Sequence, residues 1–342
     1  MWLSNSSIGR KFVMALTGAC LVLFVTFHCL MNAVAICWPA AYNSVCEFLG
    51  ANWYALIASA GLAALVIIHI IYAVVLTLQN RKARGSVRYE VSKTPKGVEW
   101  SSKNMLVLGI VILAFLVVHL IQFWAKMQLQ EIRGAEATVP PAAGTLFIQI
   151  AFSQVWTPIV YIIGFIALWF HFNHGFWSMF QSIGWDNQVW IARLKKVACW
   201  WATIVCLLFT AQAIVFTVKA HDHYYIKDAA LRDQYKSMVW PMMEKDFGPD
   251  AAQLGMQIEM SPYSQVSMGL RQMEQQQRQQ MEQLQTPEGK EYVKNNPQMQ
   301  ENMKNMEGQL KALENVVKFF DFLEQDDIKP ELQIPGAPGQ SR

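Results

Sequence analysis

Charged residues are scarce in this 342-residue chain: Asp, Glu, Lys and Arg together make up 15% of it, whereas hydrophobic residues make up 53%. Acidic residues are the scarcest, since residues 1–219 contain six Asp or Glu against 15 Lys or Arg. Residues 220–342 reverse the balance with 19 acidic and 13 basic residues, so the net charge of +3 combines +9 and −6. A soluble domain of this length carries more charge. The composition therefore predicts two parts in different solvents, an apolar domain over 1–219 and a polar extension over 220–342.

Several site-defining motifs are also missing. The six cysteines form no C-x-x-C pair, no C-x-x-C-H haem-attachment motif and no zinc-binding spacing. No G-x-G-x-x-G follows a predicted strand, and no cysteine cluster is suited to an iron–sulfur centre. The chain by itself is therefore predicted to bind neither flavin nor an iron–sulfur cluster, and nothing in it predicts nucleic-acid binding.

Five apolar runs are long enough to cross a hydrocarbon core of about 30 Å, which takes about 20 helical residues. They lie near residues 12–36, 54–78, 104–125, 156–180 and 197–219. Arg10 and Lys11 before the first run, and an Ala-x-Ala at 33–35, resemble a cleaved secretory signal, but the run is too long for one. We predict an all-α membrane protein with five transmembrane helices.

The basic residues predict how these helices are oriented. Twelve of the 15 Lys and Arg in residues 1–219 fall in the N-terminal segment and in alternate loops, near 81–103 and 193–196. Only Lys126, Arg133 and Lys219 fall on the opposite side. Because cytoplasmic loops are enriched in Lys and Arg, we expect a cytoplasmic N-terminus and an extension outside the cytoplasm.

The cysteines fall into two groups. Four lie within the apolar runs and are interpreted as small packing residues: Cys20, Cys29, Cys199 and Cys206. Cys37 and Cys46 flank a loop expected on the outer, oxidising side, where both a disulfide and two free thiols are open alternatives.

Four histidines lie one in each of the first four runs: His28, His69, His119 and His171. Ionisable side chains inside a span are costly and need partners. At 1.5 Å per residue, His28 and His119 lie about 22–24 Å from the cytoplasmic face, whereas His69 and His171 lie about 8 Å from it. A single such histidine is most simply a side chain bonded to a neighbouring helix, but four at two matched depths predict two layers of facing histidines.

Two histidines on facing helices at one depth suit a haem with two imidazole ligands. We therefore predict two b-type haems, stacked about 15 Å apart as an electron path. Zinc or copper would want further ligands nearby. A proton relay would favour acidic residues, which the five apolar runs lack.

Four fragments carry a resemblance to a known family. They are SSIGRKFVMALTG leading to His28 in HCLMN, the helix with His69, SSKNMLVLG leading to His119 in HLIQFW, and HFNHGFWSMFQSIGW. Over about residues 4–218 the chain resembles the single-subunit, two-haem cytochrome b that anchors succinate dehydrogenases and fumarate reductases, the succinate:quinone oxidoreductases. The resemblance implies a multi-pass protein of the bacterial cytoplasmic (inner) membrane, with its extension in the periplasm.

The resemblance also implies the haem contacts. In the family pattern the ligand of the fourth helix stands four residues before a glycine, as His171 stands before Gly175. Axial ligands to the haem irons are therefore expected at His28 and His119 for the outer haem and at His69 and His171 for the inner one. His174, one turn further on, is the competitor to His171, or a helix cap or propionate contact.

Four more side chains are candidates for the propionates of the inner haem, or for contacts with lipid phosphate: Arg10, Lys11, Ser101 and Lys103. A quinone site is expected near the outer haem, where Glu47 is the sole carboxylate of the loop CEFLGANWY. Glu47 is either a proton acceptor for a quinol or a solvated loop residue. Some relatives have an acidic residue two positions before the fourth ligand, but Trp169 stands there in this chain, so a proton path through that position is not expected.

The resemblance implies partners outside this chain. A flavoprotein that interconverts succinate and fumarate and an iron–sulfur protein are expected on the cytoplasmic face, with a quinone, expected to be menaquinone, and lipid in the membrane. The chain itself is then an anchor and electron conduit, without succinate chemistry of its own. The direction of the reaction and a dimer of the complex stay open. The alternatives are a cytochrome b of a hydrogenase or formate dehydrogenase and, from another class, a haem-free membrane scaffold or transporter.

The extension after Lys219 lies outside this resemblance. Residues 262–285 are rich in Met and Gln, and TPEGKEYVKNNP then interrupts the pattern. Apolar residues follow at heptad-like spacing: Met299, Met303, Met306, Leu310, Leu313, Val317 and Phe320. We predict a helical hairpin with a loose C-terminal end from Pro330. Copper binding by the methionines is the alternative, although methionine at this spacing is more often core.

Overall fold

The computed structural model describes residues 6–50, 53–84, 99–133, 139–185, 187–248 and 251–325. These residues are almost wholly helical, and no strand occurs among them. In chain order the helices are α1 (Ser7–Cys37), α2 (Pro39–Gly50), α3 (Trp53–Arg84), α4 (Trp100–His119), α5 (Gln128–Arg133), α6 (Gly144–Phe152), α7 (Trp156–Ser182), α8 (Gln188–His221), α9 (Tyr224–Lys227), α10 (Ala229–Phe247), α11 (Ala251–Met260), α12 (Tyr263–Leu284), α13 (Pro287–Lys294) and α14 (Pro297–Glu324). The basic residues Arg88, Lys93 and Lys96 and the Pro- and Gly-containing end from Pro330 lie outside the described residues.

Five of these helices are long and apolar enough to cross a membrane, and they coincide with the five predicted runs, which indicates a multi-pass membrane protein. They are α1, α3, α4 with the turn that follows it, α7 and α8, and they contain 25 to 34 residues each. A helix of 34 residues is about 51 Å long, more than the roughly 30 Å of a hydrocarbon core. The helices therefore exceed the predicted runs, because α8 continues through polar residues such as Arg193, Lys195 and Lys196.

The chain divides into two compact units. Unit 1 comprises the described residues within 1–38, 52–124 and 155–217, which hold the five long helices. Unit 2 comprises those within 39–51, 125–154 and 218–342. Two segments between the spans, 39–51 and 125–154, thus belong with the extension, although the sequence assigned them to a domain ending at residue 219.

In unit 1, α1 packs against α3 and α7, and α4 packs against α7. The α4–α7 approach is close, because a Cβ added at Gly164 would come within 2.6 Å of the Phe115 ring. Small residues at such crossings let membrane helices approach each other. A hydrogen bond also joins α8 to α1: Gln212 Nε2 donates to the Cys29 carbonyl at 2.8 Å.

Two spans have a distinctive end, α1 at its start and α4 at its finish. Ser6 caps α1, since its hydroxyl accepts a hydrogen bond from the Gly9 amide at 2.9 Å. Helix α4 passes at His119 into one π-helical turn, Leu120–Trp124. Such turns are uncommon and occur frequently at functional sites.

Unit 2 has a polar centre around the short buried helix α6. Asn43 is fully buried, and its carbonyl oxygen accepts from both the amide and the hydroxyl of Thr145. The Thr145 hydroxyl also lies 2.7 Å from the Tyr235 hydroxyl, which donates to the Tyr225 carbonyl. Asn43 Nδ2 donates to Gln234 Oε1 at 2.9 Å, so both polar atoms of the buried Asn43 amide have partners.

Helices α12 and α14 pack against each other, and two of the predicted heptad positions, Leu313 and Phe320, are buried. The buried residues of α14 are Ala312, Leu313, Val316, Phe319, Phe320 and Leu323. Val316 rather than Val317 is buried, and the four predicted positions from Met299 to Leu310 are half-buried. The reason is that α14 packs against α10 as well as α12, so its apolar face is wider than a single heptad seam.

Candidate functional site

The structure brings the four span histidines together as two pairs. In pair A, His28 of α1 and His119 of α4 have ring centroids 5.7 Å apart and nearly perpendicular planes, at 85°. In pair B, His69 of α3 and His171 of α7 have centroids 6.3 Å apart and planes at 63°. These are the two combinations that the depth argument predicts.

The two pairs lie at different levels of the bundle. Thr17 of α1 touches His69 of pair B, and His28 of pair A follows eleven residues later on the same helix. At 1.5 Å per residue this separates the levels by about 16 Å. On α7, Tyr161 touches His119 of pair A, and His171 follows ten residues later, which gives about 15 Å.

Hydrogen bonds assign the tautomer of His119. Its Nδ1 lies 3.2 Å from the Tyr161 hydroxyl oxygen. Tyr161 donates its own proton to Gln122 Oε1 at 2.9 Å, so that its oxygen is left to accept from His119 Nδ1–H. The lone pair of His119 is therefore on Nε2, the nitrogen available to a metal.

His69 is arranged in the same way. Its Nδ1 lies 3.2 Å from the Thr17 hydroxyl, which donates to the Val13 carbonyl at 2.9 Å. The Thr17 oxygen thus accepts from Nδ1–H, and the lone pair is again on Nε2. Helix α1 passes close by, since a Cβ added at Gly18 would touch His69 Cε1 at 3.6 Å.

The remaining two histidines have different surroundings. Asn32 Nδ2 donates to the His28 carbonyl at 2.8 Å and lies 3.2 Å from His28 Nε2, and an amide nitrogen can only donate. The lone pair of His28 is therefore also on Nε2, and iron could bind this nitrogen only if Asn32 Nδ2 moved away from it. His171 Nδ1 is buried and has no hydrogen-bond partner. Buried polar atoms without a partner are uncommon in folded proteins.

The pairs fit an axially ligated haem. Histidine nitrogens keep about 2.0 Å from a transition metal, so two imidazoles on one iron have centroids about 6.3 Å apart. Pair B has this separation and pair A is 0.6 Å closer. A porphyrin supplies four equatorial nitrogens and needs only two protein ligands. Among the described residues, no group of three or more His, Cys, Asp or Glu is placed to hold a bare metal ion.

His174 is directed elsewhere. Its Nδ1 lies 3.3 Å from Glu99, just before α4, and Lys195 of α8 lies 2.8 Å from the same carboxylate. Burial disfavours ionised Glu99, but hydrogen bonds from Lys195 and His174 outweigh it and lower the pKa of that carboxyl. Lys195 also lies over the Trp177 ring at 4.2 Å. These contacts place His174 in a polar cluster joining the ends of three helices.

The candidate propionate contacts lie at the starts of two spans. Arg10 is half-buried and Lys11 exposed, eight or fewer residues before the Thr17–Gly18 turn that contacts pair B. Ser101 is buried and Lys103 exposed in the first turn of α4. Trp169 donates its indole proton to Thr203 of α8 at 3.0 Å.

The remaining candidates from the sequence are Glu47 and the two loop-flanking cysteines, Cys37 and Cys46. Glu47 is exposed on α2 in unit 2. All six cysteines are free thiols in the structure, including Cys37 and Cys46. Burial raises the pKa of the Cys46 thiol to about 12, which disfavours the thiolate that disulfide formation requires.

Sequence reasoning missed the groups that hold the histidines: Thr17, Glu99, Gln122, Thr157 and Tyr161. The available signal was the cost of strongly polar side chains in a span, which applies to Gln122 as much as to a histidine. The hydroxyl partners offered no such signal, because serine, threonine and tyrosine are common in spans.

The chain matches no protein-family model, no curated protein and no solved structure at a significant level.

Proposed function

We propose that this chain is the membrane anchor and electron-transfer subunit of a succinate:quinone oxidoreductase, with one b haem at each histidine pair. The observation that carries the proposal is that histidines from four helices meet as two pairs, at levels about 15 Å apart. A pair of imidazoles at ligand separation, repeated at a second level, suits electron transfer along the membrane normal better than a single structural histidine would.

The chain's own residues hold and orient the ligands. Thr17 and Tyr161 accept from Nδ1–H of His69 and His119, which would leave Nε2 of each ring available to hold a haem iron. Each haem, when bound, supplies a one-electron carrier. Aromatic rings pack beside pair A, since the centroids of Phe115 and Phe123 lie 6.0 and 5.3 Å from that of His119.

The proposal extends to membrane side and partners. The excess of Lys and Arg before α1 and around 81–103 and 193–196 favours a cytoplasmic location for these segments. Pair B is then the inner site, adjacent to an iron–sulfur protein and its flavoprotein on the cytoplasmic face. Pair A is the outer site, near which a quinone, expected to be menaquinone, exchanges electrons, and residues 220–342 are periplasmic.

The test is a haem count on the purified chain together with the identity of what purifies with it. A pyridine haemochrome assay should give two haems b per chain. Gentle purification from native membranes should retain a flavoprotein with succinate dehydrogenase or fumarate reductase activity. A haem content of one or none contradicts the haem sites, whereas two haems with a hydrogenase or formate dehydrogenase partner would keep the sites and replace the complex.

A further inference from the structure

A buried polar chain joins α4 and α7 beside pair A. Gln122 Nε2 donates to Thr157 Oγ1 at 3.0 Å, Tyr161 donates to Gln122 Oε1 at 2.9 Å, and the Tyr161 oxygen lies 3.2 Å from His119 Nδ1. Thr157 is 0%, Tyr161 5% and Gln122 8% exposed. All of these side chains belong to unit 1.

Burying this chain of hydrogen-bonded side chains is less favourable than apolar packing at the same place would be. Polar groups taken into an apolar bundle are unfavourable unless each finds a partner. Apolar residues could join the same helices, as Phe115 and Phe165 do with their rings 5.7 Å apart. Hydrogen bonds differ from apolar contacts in being directional, because each donor fixes the orientation of the next group.

The hydrogen bonds connect Thr157 through Gln122 and Tyr161 to His119. Donation to Thr157 fixes the amide of Gln122 with its oxygen toward Tyr161. The hydroxyl proton of Tyr161 is thereby committed to Gln122, and the oxygen is left as an acceptor for His119 Nδ1–H. An acceptor on the distal N–H orients a metal-ligating imidazole and makes it a stronger electron donor to the metal.

We propose that Tyr161, held by Gln122 and Thr157, is a positioning residue that lowers the midpoint potential of the haem at pair A. This inference rests on the proposed haem sites. A more electron-rich imidazole favours the oxidised iron over the reduced iron, so the hydrogen bond keeps this haem harder to reduce than it would otherwise be. Mutation of outer-shell partners of this kind typically lowers metal affinity or activity by about 10- to 100-fold.

The deciding variant is Tyr161→Phe, which keeps the ring and removes the acceptor. A loss of tenfold preference for the oxidised state raises the potential of a one-electron couple by about 59 mV. Redox titration of the full chain, followed in the haem absorption bands, should show one haem shifted upward and the other unchanged. The low-spin ferric electron paramagnetic resonance signal of the shifted haem should change as well.

Two further variants separate positioning from packing. Gln122→Met leaves Tyr161 in place without its acceptor and should shift the same haem upward by less, and it stands in if Tyr161→Phe does not fold. Thr17→Val removes the hydroxyl beside His69 and should shift the other haem only.

The outcomes distinguish this inference from the function on which it rests. Two haems with wild-type potentials in both Tyr161→Phe and Gln122→Met would overturn the role of Tyr161 while leaving the haem sites intact. A shift confined to the haem that Thr17→Val also moves would overturn it too. Absence of haem from the wild-type chain would instead refute the proposed function.

Discussion

His69 and His171 face each other between α3 and α7 with ring centroids 6.3 Å apart, whereas His174, three residues after His171, is turned to Glu99. The two histidines of α7 are therefore not equivalent. One lies opposite a second imidazole, and the other belongs to a polar cluster with Lys195 and Trp177.

His171→Ala is expected to remove one haem, since it leaves His69 without its opposite ligand. His174→Ala is the matched control and should retain both haems, because Glu99 keeps Lys195 as a partner. The measurement is haem per chain by pyridine haemochrome, with both variants extracted at equal yield. Loss of haem from His174→Ala with retention in His171→Ala would reverse the assignment.

The pairing of the histidines could be predicted from the sequence, because depth in a span depends only on the number of residues at a fixed rise. The hydrogen-bond partners of these histidines could not be predicted from the sequence. Whether Thr17 or Tyr161 faces a histidine depends on how each helix is rotated about its axis, and tertiary packing sets that rotation. The same limit applies to α14, which packs against α10 as well as α12 and buries Val316 in addition to the predicted Leu313 and Phe320. The grouping of 125–154 with the extension depends on contacts between distant segments, such as Thr145 with Tyr235.

Gly144→Ala should destabilise unit 2. Gly144 is buried at the start of α6, and an added Cβ would overlap Cys46 Sγ and lie 2.9 Å from Tyr42 Cε1. Overpacking of this kind costs roughly 1–3 kcal/mol. Thermal unfolding of the full chain in detergent should show a lower midpoint. Gly269→Ala is the control, since Gly269 is exposed on α12 with nothing within 4 Å of an added Cβ, and it should be neutral or slightly stabilising.

The double variant Gly144→Ala/Cys46→Ala tests the mechanism of that loss. Removing the sulfur makes room for the new methyl group, so the double variant should be less destabilised than the sum of its single changes. Simple additivity would show that Gly144 is needed for a reason other than its contact with Cys46.

Residues 220–342 are expected outside the cytoplasm, on the basis of the basic residues that assign the opposite face inward. Protease added to intact spheroplasts should degrade the extension and leave the five spans, detected with an antibody to each part. Inverted vesicles are the control and should protect the extension. Cleavage in inverted vesicles alone would reverse the orientation and exchange the inner and outer assignments of pairs A and B.

Glu47→Gln is the test of a proton acceptor in quinone chemistry, a hypothesis that depends on the proposed function. Glu47 lies on α2, nineteen residues after His28 in the chain, and its side chain is exposed. A quinol that gives up two electrons also gives up two protons, and a carboxylate within hydrogen-bond reach can accept one. Removal of a general base typically lowers the rate by about 10²- to 10⁴-fold.

Glutamine keeps the shape of Glu47 without its basicity, so quinone-linked turnover should fall strongly. Both haem spectra, and succinate oxidation with an artificial dye, should stay unchanged, because neither requires a proton acceptor at the quinone. Glu301→Gln is the matched control, since Glu301 is also an exposed helical carboxylate of unit 2. Equal, near-normal quinone-linked rates in the two variants would make Glu47 a solvated surface residue, and the search would move to Asn32, beside His28, and to Trp53 at the start of α3.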